Sequence, residues 1–468
     1  MFHRSSFFSL TLLGATLGSL IFVGALCTRE QPMKVDPVTL EYWHVFDNES
    51  ALQQIAENLR AQYPYITVNF RRFREEEYED RLVNALAAGS GPDLFAIQDT
   101  WVGKYEDKVL PLPPELTIPT FTTEGGISKT TVAHPGKQAT LRPWDVHDLF
   151  VDVVADTVIR NPRNKDAGTI IGLPLALDTI VLYVNRDLLS REKIPEPPTT
   201  WDELTGQDVK EGMIQKLTKT DVRGNIFQSA IALGGSTNIK RAPDILSLLM
   251  LQNNTPMTGA HGDVTFNQRS QGFDQQAPPA EVALDFYSYF SDPANVAYTW
   301  NGALPEALDA FTSNRTAMFF GYAYHLPLVR ARAPQMNLVV KPMLQIAPDA
   351  QVNYANFWVT AVSKQTRAPN EAWKLLLFAA TDREQAFAYA KTAARPVALR
   401  SLITAQRDDP EQEDMRVFVD AVLTAKNWYR GTKHALMEET FRRMIQLVVD
   451  RTKTPHEAIE FGIQRLRE

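Results

Sequence analysis

Apolar and polar positions alternate with period two over residues 38–43, then change to helical spacing after a polar break at His44 to Ser50. Leu52, Ile55, Ala56 and Leu59 share one face of a helix over 51–63, which Pro64 stops. Residues 66–70 return to the strand pattern and residues 78–88 to the helical one. Gly89-Ser90-Gly91 then separates that helix from a third apolar run over 92–97. Strand, helix, strand, helix, strand is the order of a doubly wound α/β sheet, whose crevices open at strand C-termini.

Further along, residues 173–184 are almost wholly apolar, with a single carboxylate, Asp178, set among them. The run reads as one buried strand. An acid in such a strand is costly to bury without partners, so Asp178 is expected to face a wet crevice or mark a break. Pro197-Pro198 ends the regular structure, and Thr200 with Glu203 has the spacing of a helix-capping box. Residues 143–159 predict one amphipathic helix, with Val146, Leu149, Phe150, Val153 and Val154 on one face. Helices are also expected over 242–252, 280–289, 371–379 and 383–390, and strands over 339–342 and 356–363. The tail is helical, with Thr454 as N-cap and Pro455 as first helical residue. Stretches 117–140 and 257–279 are polar surface excursions.

A chain of 468 residues is too long for one core, so two lobes are expected. A net charge of −7 argues against nucleic acid or an anionic membrane surface as the main partner. The eight histidines are scattered without metal-ligand spacing, and nothing calls for a metal or a cofactor. The one cysteine, Cys27, closes an uncharged apolar segment from Ser5 to Thr28 flanked by Arg4 and Arg29. Residues 1–28 therefore read as a secretion signal or membrane anchor, followed by a tether over 29–37. Three fates are open: lipidation at Cys27, to which Leu26 is ill suited; cleavage after Ala25; or retention as a span. Each places the rest of the chain outside the cytoplasm.

The segment Gly172-Leu-Pro-Leu-Ala-Leu-Asp178-Thr-Ile-Val-Leu-Tyr-Val-Asn185-Arg-Asp-Leu-Leu189, with Pro197-Pro-Thr-Thr-Trp201-Asp-Glu-Leu204, resembles the signature of family 1 extracellular solute-binding proteins. These are the maltose-binding-protein-like, sugar-capturing subunits of ABC importers. Gly91-Pro-Asp-Leu-Phe-Ala-Ile-Gln-Asp99-Thr-Trp101, Ala317-Met318 with Gly321-Tyr322, and Ala394-Arg395-Pro396 are similar to further family motifs, in the right order. The resemblance implies two α/β lobes joined by crossing hinge strands, with a ligand cleft between them. One lobe would hold 38–178 plus 321–362, the other 179–320 plus 363–468. Binding loops would be Trp43–Asp47 and 99–101.

Ligand contacts are accordingly expected from Trp43, Asp47, Asp99, Trp101, Asp178, Trp300, Asn301, Tyr322, Trp358 and Arg395. Rings stack on the C–H faces of sugars, while acids and amides bond their hydroxyls. Trp201 is assigned to structure. The expected function is capture of a sugar or similar polar solute for an ABC permease. No nucleophile elbow, phosphate loop or zinc signature is present. A secreted glycoside-acting enzyme and a sensor or partner-binding protein on the same fold are the alternatives.

Overall fold

The computed structural model describes residues 35–124, 130–161, 166–206, 212–259, 262–270 and 277–467. The expectations for residues 1–28, Cys27 included, fall outside these, as does most of the 29–37 tether. Two sheets organise the chain. The first orders its strands Trp358–Val362, Leu94–Gln98, Val38–His44, Ile66–Arg72, all parallel except Trp358–Val362. The second runs Lys219–Thr220, Ile226–Ile231, Thr316–Gly321, Val181–Asn185, Leu338–Lys341, with both parallel and antiparallel pairs.

Helices Glu49–Gln62 and Glu75–Ala87 cover the first sheet as the periodicity predicts. Asn48 caps the former by accepting from the Ala51 amide at 3.1 Å. At the Thr200 cap the box is shifted by one position. The Thr200 hydroxyl accepts from the Glu203 amide, but the Glu203 carboxylate takes the amide of Thr199 rather than that of Thr200. Thr454 and Glu457 form the full reciprocal box before helix Pro455–Arg467.

Three expectations are corrected. Residues 143–159 form two helices, Pro143–Leu149 and Asp152–Val158. The break falls where buried Phe150 bridges to Leu399 and the Val151 amide donates to the Ala398 carbonyl. Within 173–184, only Val181–Asn185 belongs to a strand. The preceding stretch is a bridge between sheets: Leu173 pairs with Thr360 of the first, Thr179 pairs with Ala355, and the chain then enters the second. Gly172 permits this crossing, since a β-carbon there would meet the Thr360 carbonyl at 2.4 Å.

The third correction concerns which lobe owns which segment. Leu338–Lys341 lies in the second sheet, not with the first lobe. Helices Pro369–Thr381 and Arg383–Ala393 pack on the first lobe instead of the second. Tyr65 donates to Glu371 and Asn58 to Gln385 across that contact. The chain crosses once more where Ala425–Lys426 pairs with Asn353–Tyr354. Only then do helices His434–Val449 and Pro455–Arg467 join Ala242–Gln252 and Pro279–Tyr289 in the second lobe. A helix's apolar stripe reports that it is buried, not which sheet buries it.

Among the described residues no helix is long and apolar enough to cross a membrane. Nor does any group of His, Cys, Asp and Glu among them have an arrangement that could hold a metal ion.

Candidate ligand-binding site

Where the crossing segments meet, the two sheets face each other over a cavity of about 60 Å³. Phe46, Asp47, Gln98, Tyr389 and Trp358 reach it from the first lobe, Arg241, Tyr322 and Tyr324 from the second. Asp178, Asn356 and Arg395 come from the junction.

Asp178 sits just ahead of the Val181–Asn185 strand, at the break in backbone pairing that its charge requires. One carboxylate oxygen accepts the amides of Thr179 at 2.9 Å and Ala323 at 2.8 Å; the other accepts from Arg395 at 3.1 Å. Burial raises its pKa above the ordinary carboxylate value, against the pull of Arg395 and the backbone amides. Arg395 is presented by a turn in which Ala394 closes helix Arg383–Ala393 in the left-handed conformation, φ +49°.

Asp47 is held by two phenols, Tyr42 at 2.9 Å and Tyr389 at 2.5 Å. Burial, reinforced by the Asp47 charge, pushes both tyrosines well above their ordinary range, so both remain donors. On the opposite wall Tyr322 donates to Asp244 at 2.8 Å, and Arg241 donates to the Tyr324 hydroxyl through two nitrogens at 2.7 and 3.0 Å. The guanidinium carbons of Arg241 and Arg395 each lie 5.6 Å from the Tyr324 ring centroid. Trp358, at the start of its strand, is only partly buried, with Phe46 5.6 Å away; Phe46 is in turn 6.0 Å from Tyr324.

Five of the residues expected from sequence therefore line one cavity: Asp47, Asp178, Tyr322, Trp358 and Arg395. Five stand away from it. The first strand continues through His44, so Trp43 lies within the sheet, covered by Phe73 and by Arg71 at 5.2 Å. Trp101 packs behind Trp358 against Tyr78, Tyr105 and His434. Asp99 is buried and accepts from Asn427 at 2.6 Å; desolvation raises its pKa to about 7. Trp300 is fully buried with its indole donating to Asn238, and Asn301 donates to Tyr298.

Gln98, Arg241, Tyr324, Asn356 and Tyr389 were missed, and Phe46 was expected only as part of the loop Trp43–Asp47. Phe46 and Gln98 flank residues that were singled out. Every residue of Leu94–Gln98 is buried, so no alternation marks which end meets the cleft. Arg241 and Tyr389 carry no local signal; only the packing of remote elements brings them in.

A profile of the bacterial extracellular solute-binding proteins matches residues 54–411. A maltotriose-binding protein of Pyrococcus abyssi is 26% identical over 164 residues, 35% of this chain and 28% of that protein's length. Among solved structures, the cyclic α-maltosyl-1,6-maltose binding protein of Arthrobacter globiformis superposes with a TM-score of 0.69 at 13% identity. That match covers 92% of this chain and 98% of that one. An ABC transporter solute-binding protein of Thermotoga lettingae TMO, bound with α-D-tagatose, gives 0.62 at 17% identity, covering 92% and 98%.

Proposed function

The chain belongs to the bacterial extracellular solute-binding proteins, and from that premise we propose that it captures a sugar between its lobes and presents it to the permease of an ABC importer. The observation that carries this reading is the cavity itself. Asp47, Gln98 and Trp358 enter from one sheet, Arg241, Tyr322 and Tyr324 from the other, and Asp178 with Arg395 pins the crossing between them. A ligand touching both walls binds the closed arrangement more tightly than an open one and so shifts the equilibrium towards closure. Hinge closure around a ligand is general for periplasmic binding proteins.

The similar proteins supply the ligand class. One is a maltotriose-binding protein, one binds a cyclic maltosyl-maltose, and one holds tagatose. Trp358 and Phe46 offer apolar faces for the C–H side of a ring, and Gln98, Asn356 and the two guanidiniums offer donors for its oxygens. Glycoside hydrolysis is disfavoured by the same geometry. It needs two carboxyl groups at liberty to act as acid and base or nucleophile. Asp178 is engaged by two amides and an arginine, and Asp47 by two tyrosines.

The N-terminal segment 1–28 would direct export, with Cys27 as an acyl acceptor. Mass spectrometry of the mature N-terminus decides among lipidation, cleavage after Ala25 and retention.

A thermal-shift screen of mono- and oligosaccharides tests the reading. At 100 times its dissociation constant a ligand adds about 2.7 kcal/mol of stability. A sugar that raises the midpoint, shrinks the radius of gyration and is recovered unchanged fulfils it. An altered sugar would point to an enzyme, and an unchanged radius would sink the closure claim.

A further inference from the structure

The similar proteins bind ligands from one ring to several, so family membership leaves length open; the closed cleft does not. We propose that the site takes a single neutral sugar ring, not an oligosaccharide. This assignment rests on the sugar-binding reading above and adds the size and charge of the ligand.

Three observations carry it. The first is space. A cavity of about 60 Å³ is smaller than the roughly 150 Å³ that holds a benzene ring, so the lobes must part slightly for one sugar ring and much further for a chain.

The second is closure at the lips. Glu75 and Glu79 are one turn apart on helix Glu75–Ala87, hence on one face. Glu75 meets Lys240 at 3.4 Å and Glu79 meets His434 at 3.3 Å, both across the cleft. Lys240 adjoins Arg241, which lines the cavity, and the groove beside Glu75 is shared with Phe46, which also lines it. His434 packs at 4.8 Å on Trp101, which backs Trp358 at 5.4 Å. The bridges thus tie the lobes together beside the chamber, and a chain that needs a wider cleft has to break them. The aromatic rings that could platform further rings, Trp43, Trp101 and Trp300, are packed into the lobes.

The third is charge. Two carboxylates and two guanidiniums line the cavity and balance. Each carboxylate has both oxygens engaged by protein donors, so neither is offered to a cationic ligand.

Calorimetric titration of the full chain tests this with neutral hexoses, ketohexoses and pentoses, their uronate and amino forms, and malto-oligosaccharides of two to four rings. At least one neutral single-ring sugar is expected to bind 100-fold more tightly than any oligosaccharide and tenfold more tightly than its charged forms. An oligosaccharide that binds as well as the best single ring overturns the size assignment and leaves sugar binding intact. A uronate or amino sugar that binds best overturns the charge assignment. No binding by any sugar removes the sugar reading and this proposal with it. In the Glu75→Gln, Glu79→Gln protein the preference for one ring over three should fall about tenfold; an unchanged ratio overturns the role given to the bridges.

Discussion

Asp178 and Arg395 are 217 positions apart in the chain and 3.1 Å apart in space, both largely shielded from water. Removing one partner of such a pair strands the other charge, which costs about 3–5 kcal/mol. Arg395→Ala should lower stability by that order in urea titrations, whereas Asp178→Asn combined with Arg395→Ala should lose less than the single change. Trp358→Ala tests the ligand face instead: affinity should fall by more than tenfold, about 1.4 kcal/mol, with stability changing less than for Arg395→Ala. Asp99 makes a prediction about pH. Burial lifts its pKa to about 7, with Asn427 and Arg430 pulling it down and Asp244 adding to the rise. Between its ordinary value near 4 and about 7, the folded chain holds a proton that the unfolded chain has lost. Stability therefore falls as pH rises through that window, by up to about 1.4 kcal/mol per unit. Asp99→Asn should flatten this slope in melts between pH 5 and 8. Asp244 and Glu438, raised by burial as well, leave a remainder of the same sign.

At the level of elements, the turn that carries Arg395 is closed by an alanine where glycine is the usual choice. The left-handed conformation costs an L-residue with a β-carbon about 1–2 kcal/mol. Ala394→Gly should therefore raise the denaturation midpoint, by the equivalent of about 1 kcal/mol in unfolding free energy, and leave ligand affinity unchanged. A lower midpoint would contradict the strain assigned to Ala394. The sequence was most legible where local pattern and neighbouring pairing agree, as in the first three strands and two helices. It was least legible where a remote segment intervenes. Phe150 reads as one more position in a helical stripe, and only its pairing with Leu399, beside the Val151 amide on Ala398, explains the break there. The candidate site divides the same way. Asp178 was visible because an acid in an apolar run is locally anomalous. Trp43, Trp101 and Trp300 were misplaced because a tryptophan at a strand end or loop looks alike whether it faces a cleft or a core.

For the whole molecule, closure is bounded by contacts of unequal strength. The Lys240–Glu75 bridge is largely exposed and so worth little, in the range of about 0–1 kcal/mol. Glu79 is better shielded. Burial alone would raise its carboxyl, yet His434 and Lys104 hold it at about 2. The lobes should therefore open first at Glu75. A spin-label or fluorophore pair placed across that lip should report opening before a pair placed near Glu79, and the reverse order would contradict this ranking.

The repeated crossing of the chain between sheets has a consequence for biosynthesis. The first lobe needs the Trp358–Val362 strand at its edge and the helices through Ala393 over its face. Its first three strands end at Gln98, so about 300 residues must still be made before that lobe has all its parts. At translation rates of about 5–20 residues per second this is on the order of 15–60 s. Throughout that interval the nascent first lobe lacks a complete core and keeps apolar surface exposed to aggregation.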